Sequence, residues 1–245
     1  MKLTVRVAMA AGLALALVGS AQANNLFGID VSNWQGSINW SSVYGDGARF
    51  AFAKATEGNY YRDGYFNSNM NNGKAAGMQM GAYHFTRCDQ NCASTEANYF
   101  WNFAGGKIIA DGKSIYPTID FEVFNGHACQ PSYTAWFNAW ANYVKGKTTH
   151  FLRPVIYASA CTGMCDLTTA CELSEWVANY NGQNLYTGGP WNTCKSCNYV
   201  HPGYSDGWTY WQVSSTGRIS GVSGNCDFDA YNGTLAQLKT WQGVQ

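Results

Sequence analysis

Short apolar or β-branched runs recur along the whole chain, with helical patterns between them. The runs are Leu26–Val31, Arg49–Ala55, Met78–Phe85, Ile115–Val123, Pro154–Ala158, Trp176–Tyr180 and Trp208–Ser214, and they read as strands. The clearest helix covers Ser132 to Lys147, where Trp136, Trp140 and Val144 repeat at four-residue spacing beside Phe137 and Ala141, a stripe that belongs to a core. A weaker one covers Ser94 to Phe103, and its Phe100 and Phe103 also read as packing rather than binding residues. Strands alternating with helices imply a mainly parallel sheet. Seven or eight strands in 245 residues close most economically as an α/β fold, a single irregular (β/α) TIM-like barrel. No repeat, charge block or linker interrupts residues 24–245, so one domain is expected there.

The first 23 residues read differently. Lys2 and Arg6 precede an apolar run from Val7 to Gly19, and Ala21-Gln22-Ala23 satisfies the small-x-small rule for cleavage after Ala23. That run is short for a bilayer span, and no later segment is long and apolar enough for one, so residues 1–23 are expected to be a signal peptide and the remainder an exported, secreted protein with no stable membrane insertion. Export places the nine cysteines (88, 92, 129, 161, 165, 171, 194, 197 and 226) where disulfides form, allowing four bridges and one odd thiol of undetermined connectivity. Cys194-x-x-Cys197 followed by His201 resembles half a zinc site, but unequal spacing elsewhere and export favour disulfides, so no metal is expected.

Fifteen Lys and Arg balance fifteen Asp and Glu, which leaves no basic field for a nucleic-acid backbone and disfavours that class of partner. Only 12% of residues are charged while 16% are aromatic, a surface chemistry suited to a neutral polar ligand such as a glycan.

Scarce acids make their placement informative. Asp30, Glu57, Asp120, Glu122 and Asp227 fall where apolar runs end, the rim at which barrel enzymes build their sites. In Asp120-Phe121-Glu122 the strand alternation turns both carboxylates to one face, with Cα atoms about 6.5–7 Å apart, and turns Ile119 and Phe121 to the other. Like charges that close raise at least one pKa, so one group keeps a proton near neutrality and serves as a general acid. Glu122, nearer the strand end, is the candidate. A solvated strand end would also carry two acids, but this pair lies in an otherwise apolar segment where unpaired charge is costly. Paired carboxylates are what glycosidic-bond cleavage requires. His84, His127, His150 and His201 form no His-x-x-x-His or His-Glu-x-x-His pattern, no Gly-x-Ser-x-Gly elbow occurs, and no cysteine carries a nucleophile signature, so zinc hydrolase, serine esterase and cysteine nucleophile are disfavoured.

Eight segments together resemble the family 25 glycoside hydrolases, lysozymes that cleave peptidoglycan. They are Asp30-Val-Ser-Asn-Trp-Gln-Gly36, Phe50-Ala-Phe-Ala-Lys-Ala-Thr-Glu-Gly58 with Tyr61 and Asp63, Gly81-Ala-Tyr-His-Phe85, Asp120-Phe-Glu122, Val155-Ile-Tyr157, Trp176-Val-Ala-Asn-Tyr180, Tyr210-Trp-Gln-Val-Ser-Ser215 and Cys226-Asp-Phe-Asp229. Their order and spacing agree from residue 28 to about 231. The resemblance implies an irregular β/α barrel over residues 24–245, with Glu122 as acid/base, Asp120 as its partner, and Asp30 and Asp227 as further acids in the same pocket. It places Tyr83, Tyr157, Tyr180 and Trp211 near the groove as substrate-binding candidates, each ring also fitting a packing role. Glu57 is a further candidate, although a buried carboxylate bonded to loop amides satisfies the same motif. No cofactor is implied. The chain departs from the pattern in its many cysteines, expected to staple groove-side loops, and in Cys226, which stands at a usually apolar position and is expected to be either buried and bridged or the odd thiol.

These readings converge on a secreted, monomeric N-acetylmuramidase acting on the glycan strands of bacterial peptidoglycan, leaning toward a substrate-assisted route with Asp120 holding the sugar's 2-acetamido group. The alternatives are a non-catalytic glycan-binding protein on the same barrel and a glycosidase of chitin-like polymers.

Overall fold

The computed structural model describes residues 25–148, 154–160, 163, 174–190 and 208–241. The expected leader 1–23, Cys161, Cys165, Cys171, Cys194, Cys197, His150 and His201 lie outside the described residues.

Nine strands form one sheet: β1 (Leu26–Val31), β2 (Phe50–Glu57), β3 (Tyr61–Arg62), β4 (Gln79–Phe85), β5 (Thr118–Asp120), β6 (Val155–Ser159), β7 (Ser174–Ala178), β8 (Tyr210–Gly217) and β9 (Cys226–Tyr231). In the order β1-β9-β8-β7-β6-β5-β4-β2, with β1 pairing β2, eight strands close into a barrel, and β3 hangs on β2 as a short hairpin arm. Within the closed barrel the neighbours among β1, β2 and β4 through β8 are parallel, whereas β9 runs antiparallel between β8 and β1 and β3 runs antiparallel to β2. The expected irregular barrel is therefore present, and β9 is the source of its irregularity. The apolar runs did not include β9 because its inward positions are acids: Asp227 and Asp229 alternate with outward Cys226 and Phe228.

Two strand expectations are corrected. The run Ile115–Val123 yields only Thr118–Asp120, because Pro117 has no N–H to give a ladder. The run Trp176–Tyr180 is displaced to Ser174–Ala178, leaving Tyr180 beyond the strand. The helices are α1 (Trp40–Gly45), α2 (Phe66–Ala75), α3 (Ala93–Ala104), α4 (Tyr133–Lys145) and α5 (Leu235–Trp241). Ser132 caps α4 by accepting the Ala135 N–H at 3.1 Å, and the predicted stripe Trp136, Phe137, Trp140, Ala141 and Val144 is its buried face.

Strand alternation sorts the core into two layers. Outside the barrel, Ala51, Ala53 and Ala55 of β2 and His84 of β4 meet helices, His84 stacking on Trp140. Inside, rings fill the floor: Phe52 stacks on Trp176 with centroids 4.3 Å apart, Tyr210 meets both Phe50 and Phe52, and Tyr157 sets an edge against Trp176 at 4.6 Å. Two glycines make room. A Cβ on Gly28 would run into the Phe50 ring, and one on Gly81 into Phe52.

One disulfide, Cys92–Cys129, ties the start of α3 to the loop that follows β5. The buried free thiol of Cys88 reinforces this tie by donating to the carbonyls of Val123 and Gly126, at 3.5 and 3.4 Å. Cys226 is likewise free and buried, so of its two expected states it takes the unbridged one. Two free thiols leave the nine cysteines too few for the four bridges the sequence allowed.

Gly81→Ala should drive a methyl into Phe52 and lower stability by about 1–3 kcal/mol, read as a fall in the denaturant midpoint at unchanged slope. An unshifted midpoint would show that the floor is not tightly filled.

Candidate active site

A cavity of about 280 Å³ opens at the C-terminal ends of the parallel strands, directly above the aromatic floor. Asp30 enters it from the end of β1, Tyr83 from β4, Asp120 from β5, Tyr157 from β6, Trp176 from β7 and Gln212 from β8. Because β9 runs against its neighbours, Asp227 near its start pairs with Asp30 near the end of β1, so two strands of opposite direction deliver acids to one rim. Glu122 lies two residues past β5 and is exposed at the mouth. Its backbone is set by strand-like bonding that outlasts β5: Phe121 N–H donates to the Tyr157 carbonyl at 2.9 Å, and Thr86 donates to the Asp120 carbonyl from both its amide and its hydroxyl at 3.0 Å. Phe121 turns outward against Phe137 of α4, as the alternation requires.

The acids interact as two close pairs. Asp120, buried, and Glu122 line the same cavity, and two carboxyl groups so placed ionise together only at a cost, which favours a proton retained by one of them. Burial first, and then the charge of Glu122, hold Asp120 well above the usual carboxylate range; Lys54 acts in the opposite direction. Partial desolvation also raises Glu122. Deeper in the barrel, Asp229 accepts from Trp176 Nε1 at 2.8 Å and lies close enough to Asp30 for the two charges to oppose each other. Burial, then Asp30, hold Asp229 well above its ordinary value, and burial, then Asp227, do the same for Asp30. Asp227 is pushed up to about 6, chiefly by burial.

Gln212 connects this acid cluster to the tyrosines. Its Nε2 donates to Asp30 Oδ2 at 2.7 Å, while its Oε1 accepts from Tyr157 at 2.8 Å and from Tyr180 at 2.7 Å. Tyr180 is raised to about 12 by burial and then Asp227, so its hydroxyl stays protonated and available.

Of the residues expected at the site, the structure brings together Asp30, Asp120, Glu122, Asp227, Tyr83, Tyr157 and Tyr180. Trp211 is corrected: it is fully buried on the outer face, donating Nε1 to the Asn179 carbonyl at 2.8 Å, because the alternation that points Gln212 inward points Trp211 outward. Glu57 is also apart from the cavity lining. It is held by side chains rather than loop amides, with Lys54 at 2.9 Å and the Tyr60 hydroxyl at 2.8 Å. Despite the opposing effect of partial burial, these partners keep Glu57 below its usual pKa. Sequence reasoning did not single out Gln212, Trp176 or Asp229, although all three lie within the quoted segments; inward register beside a known pocket acid was the available signal. Among the described residues no cluster of His, Cys, Asp and Glu is arranged to hold a metal ion.

A closed barrel whose C-terminal rim gathers paired, proton-retaining carboxylates above an aromatic floor is the architecture of a glycoside hydrolase. Residues 29–222 match the glycosyl hydrolases family 25 signature, and the chain belongs to that family. It is 37% identical over 231 residues to lysozyme M1 of Streptomyces globisporus, an alignment covering 90% of this chain and 72% of that protein. The N,O-diacetylmuramidase of Arthroderma benhamiae is 29% identical, covering 98% of this chain and 97% of the relative. The crystal structure of a bacterial lysozyme from Streptomyces coelicolor superposes with a TM-score of 0.70 at 35% identity, covering 89% of this chain and 97% of the other.

Carboxyl groups with raised pKa values bind more protons in the folded than in the unfolded state. Their stabilisation is full below the unfolded pKa near 3.8 and is lost as pH rises through the folded value, which for Asp227 is about 6. The thermal midpoint should therefore climb as pH falls from 8 toward 5, and Asp229→Asn should flatten that climb, as followed by calorimetry. A midpoint that falls over the same interval would contradict the proton-retaining pairs.

Proposed function

We propose that this chain is a secreted N-acetylmuramidase, hydrolysing the β-1,4 bond between N-acetylmuramic acid and N-acetylglucosamine in bacterial peptidoglycan. The observation that carries the reading is the Asp120–Glu122 pair in one cavity: Asp120 buried, Glu122 exposed at the mouth, and both carboxyls raised above the ordinary range. Glu122, the exposed member, is the one assigned to the glycosidic oxygen. When the retained proton sits on Glu122, Asp120 is ionised, so a single proton equips both groups.

In the route that follows, the acetamido oxygen of the muramic acid attacks its own anomeric carbon while the bond to the leaving oxygen breaks. The Glu122 proton moves to that oxygen, and ionised Asp120 accepts the amide N–H. Glu122, now a carboxylate, takes a proton from the water that opens the cyclic intermediate, which restores the pair and retains configuration. Asp30, fixed by Gln212, and Asp227 line the same cavity, where they position the sugar. The hydroxyls of Tyr157 and Tyr180 are oriented by Gln212 toward the same space. Secretion is supported by the leader-like residues 1–23 and by the Cys92–Cys129 disulfide, a bond suited to oxidising compartments. Among the described residues no helix is long and apolar enough to cross a membrane.

Glu122→Gln keeps the shape and removes the transferable proton, so release of reducing ends from purified peptidoglycan should fall by about 10²–10⁴-fold, with Asp120→Asn also strongly impaired. Undiminished release by Glu122→Gln would refute its role. Tight wall binding with no cleavage by the unaltered protein would replace the enzyme with a glycan-binding protein, and efficient cutting of soluble N-acetylglucosamine oligomers in preference to peptidoglycan would move the substrate to chitin-like polymers.

A further inference from the structure

Trp34 is 86% exposed, more than any other large hydrophobic residue described. The other tryptophans with described side chains are buried or half-buried, so an indole left in water at this position forfeits the burial that the rest of the chain secures for that side chain. Nor does it stand on a loose loop. It is the central residue of the 3₁₀ turn Asn33–Gln35, closed by a capping box in which Ser32 Oγ accepts the Trp34 N–H at 3.3 Å and Gln35 Oε1 accepts the Ser32 N–H at 2.9 Å.

Two other parts of the chain brace the turn. Asp63 Oδ2 accepts the Asn33 N–H at 2.7 Å, and the carbonyl of Asn225 accepts from Gln35 Nε2 at 3.3 Å. Gly36 ends the turn at φ +61°, a backbone setting that suits glycine. The backbone is thus fixed in advance and the ring is held out, 86% exposed, where none of the described residues covers it. That position borders the candidate cavity, whose lining also includes Asp227 and Tyr180.

The cavity, at about 280 Å³, is at the small end for ligand sites, so a polymer bound in it must continue over its edge. An indole offers the sugar next along the strand a flat apolar face, and the C–H face of a pyranose is the complementary surface; Asp227 and Tyr180 in the same cavity lining supply partners for hydroxyl and amide groups. We propose that Trp34 is the platform of a glycan subsite outside the reacting pair, stacking on a pyranose ring of the strand and favouring long chains over short ones. This rests on the muramidase reading for the identity of the glycan.

The test compares Trp34→Ala and Trp34→Phe in two backgrounds. In Glu122→Gln, binding isotherms on insoluble peptidoglycan should show Trp34→Ala about tenfold weaker, the factor given by ~1.4 kcal/mol, with Trp34→Phe recovering most of the loss. In the otherwise unaltered protein, Trp34→Ala should raise KM for long strands about tenfold at constant kcat and leave the shortest cleavable fragment unaffected. Equal binding and equal KM in Trp34→Ala would overturn the proposal, as would a uniform loss of kcat at every chain length. If the unaltered protein cuts nothing, the muramidase reading fails, while the isotherms still decide for or against the platform.

Discussion

Everything at the site rests on the side of the barrel to which Trp176 points. Its ring stacks on Phe52 and takes the edge of Tyr157, locking the floor, and its Nε1 donates upward to Asp229. The same side chain is therefore the top of an apolar column and the first donor of a polar network. Asp229 acts on Asp30 through its charge, and from Asp30 a chain of bonds passes to Gln212 and then to the hydroxyls of Tyr157 and Tyr180. Gly28 and Gly81 belong to the same constraint, since the rings beneath the acids fit only where two Cβ atoms are missing.

The tightness of this floor explains the electrostatics above it. Aromatic packing removes water from below the acids, so burial is the largest influence on Asp30, Asp120 and Asp229. Groups that cannot all ionise retain protons instead, and under the proposed function a proton retained beside the exposed Glu122 is the reactive one. Lys54 opposes this tendency at the Asp120–Glu122 pair, while its own ion pair with Glu57 restrains it. Glu57 thus belongs to the surroundings of the site rather than to its lining, and the family motif containing it is explained by structure as much as by chemistry. The Cys92–Cys129 bridge and the Cys88 thiol hold the loop that follows Glu122, so this candidate acid, outside the strands, is not left on a free segment.

Much of this was legible in the sequence, wherever one period governed one face. The runs Leu26–Val31 and Met78–Phe85 and the stripe from Trp136 to Val144 match β1, β4 and α4 nearly residue for residue, because each buries a continuous apolar face. The pairing of Asp120 with Glu122 followed from strand alternation alone. What escaped is equally physical. β9 carries its acids inward, opposite to the polarity rule used to find strands, and Pro117 shortens β5 without altering its apolar composition. Trp211 was placed near the groove by a family position, whereas its register with Gln212 sends it to the outer layer. Trp34 gave no signal because exposure of a single ring cannot be read from neighbours in sequence.

The account depends most directly on protons that buried carboxyl groups retain. Carbon-13 detected titration of the Asp and Glu side-chain carboxyls in the folded protein would measure them one by one. The result required is that Asp227 titrates near 6, that Asp120 and Glu122 show linked transitions above the ordinary carboxylate range, and that Asp229 titrates well above that range. If all of these groups titrated independently at values usual for exposed acids, the aromatic floor would not govern the site and the retained-proton mechanism would be wrong.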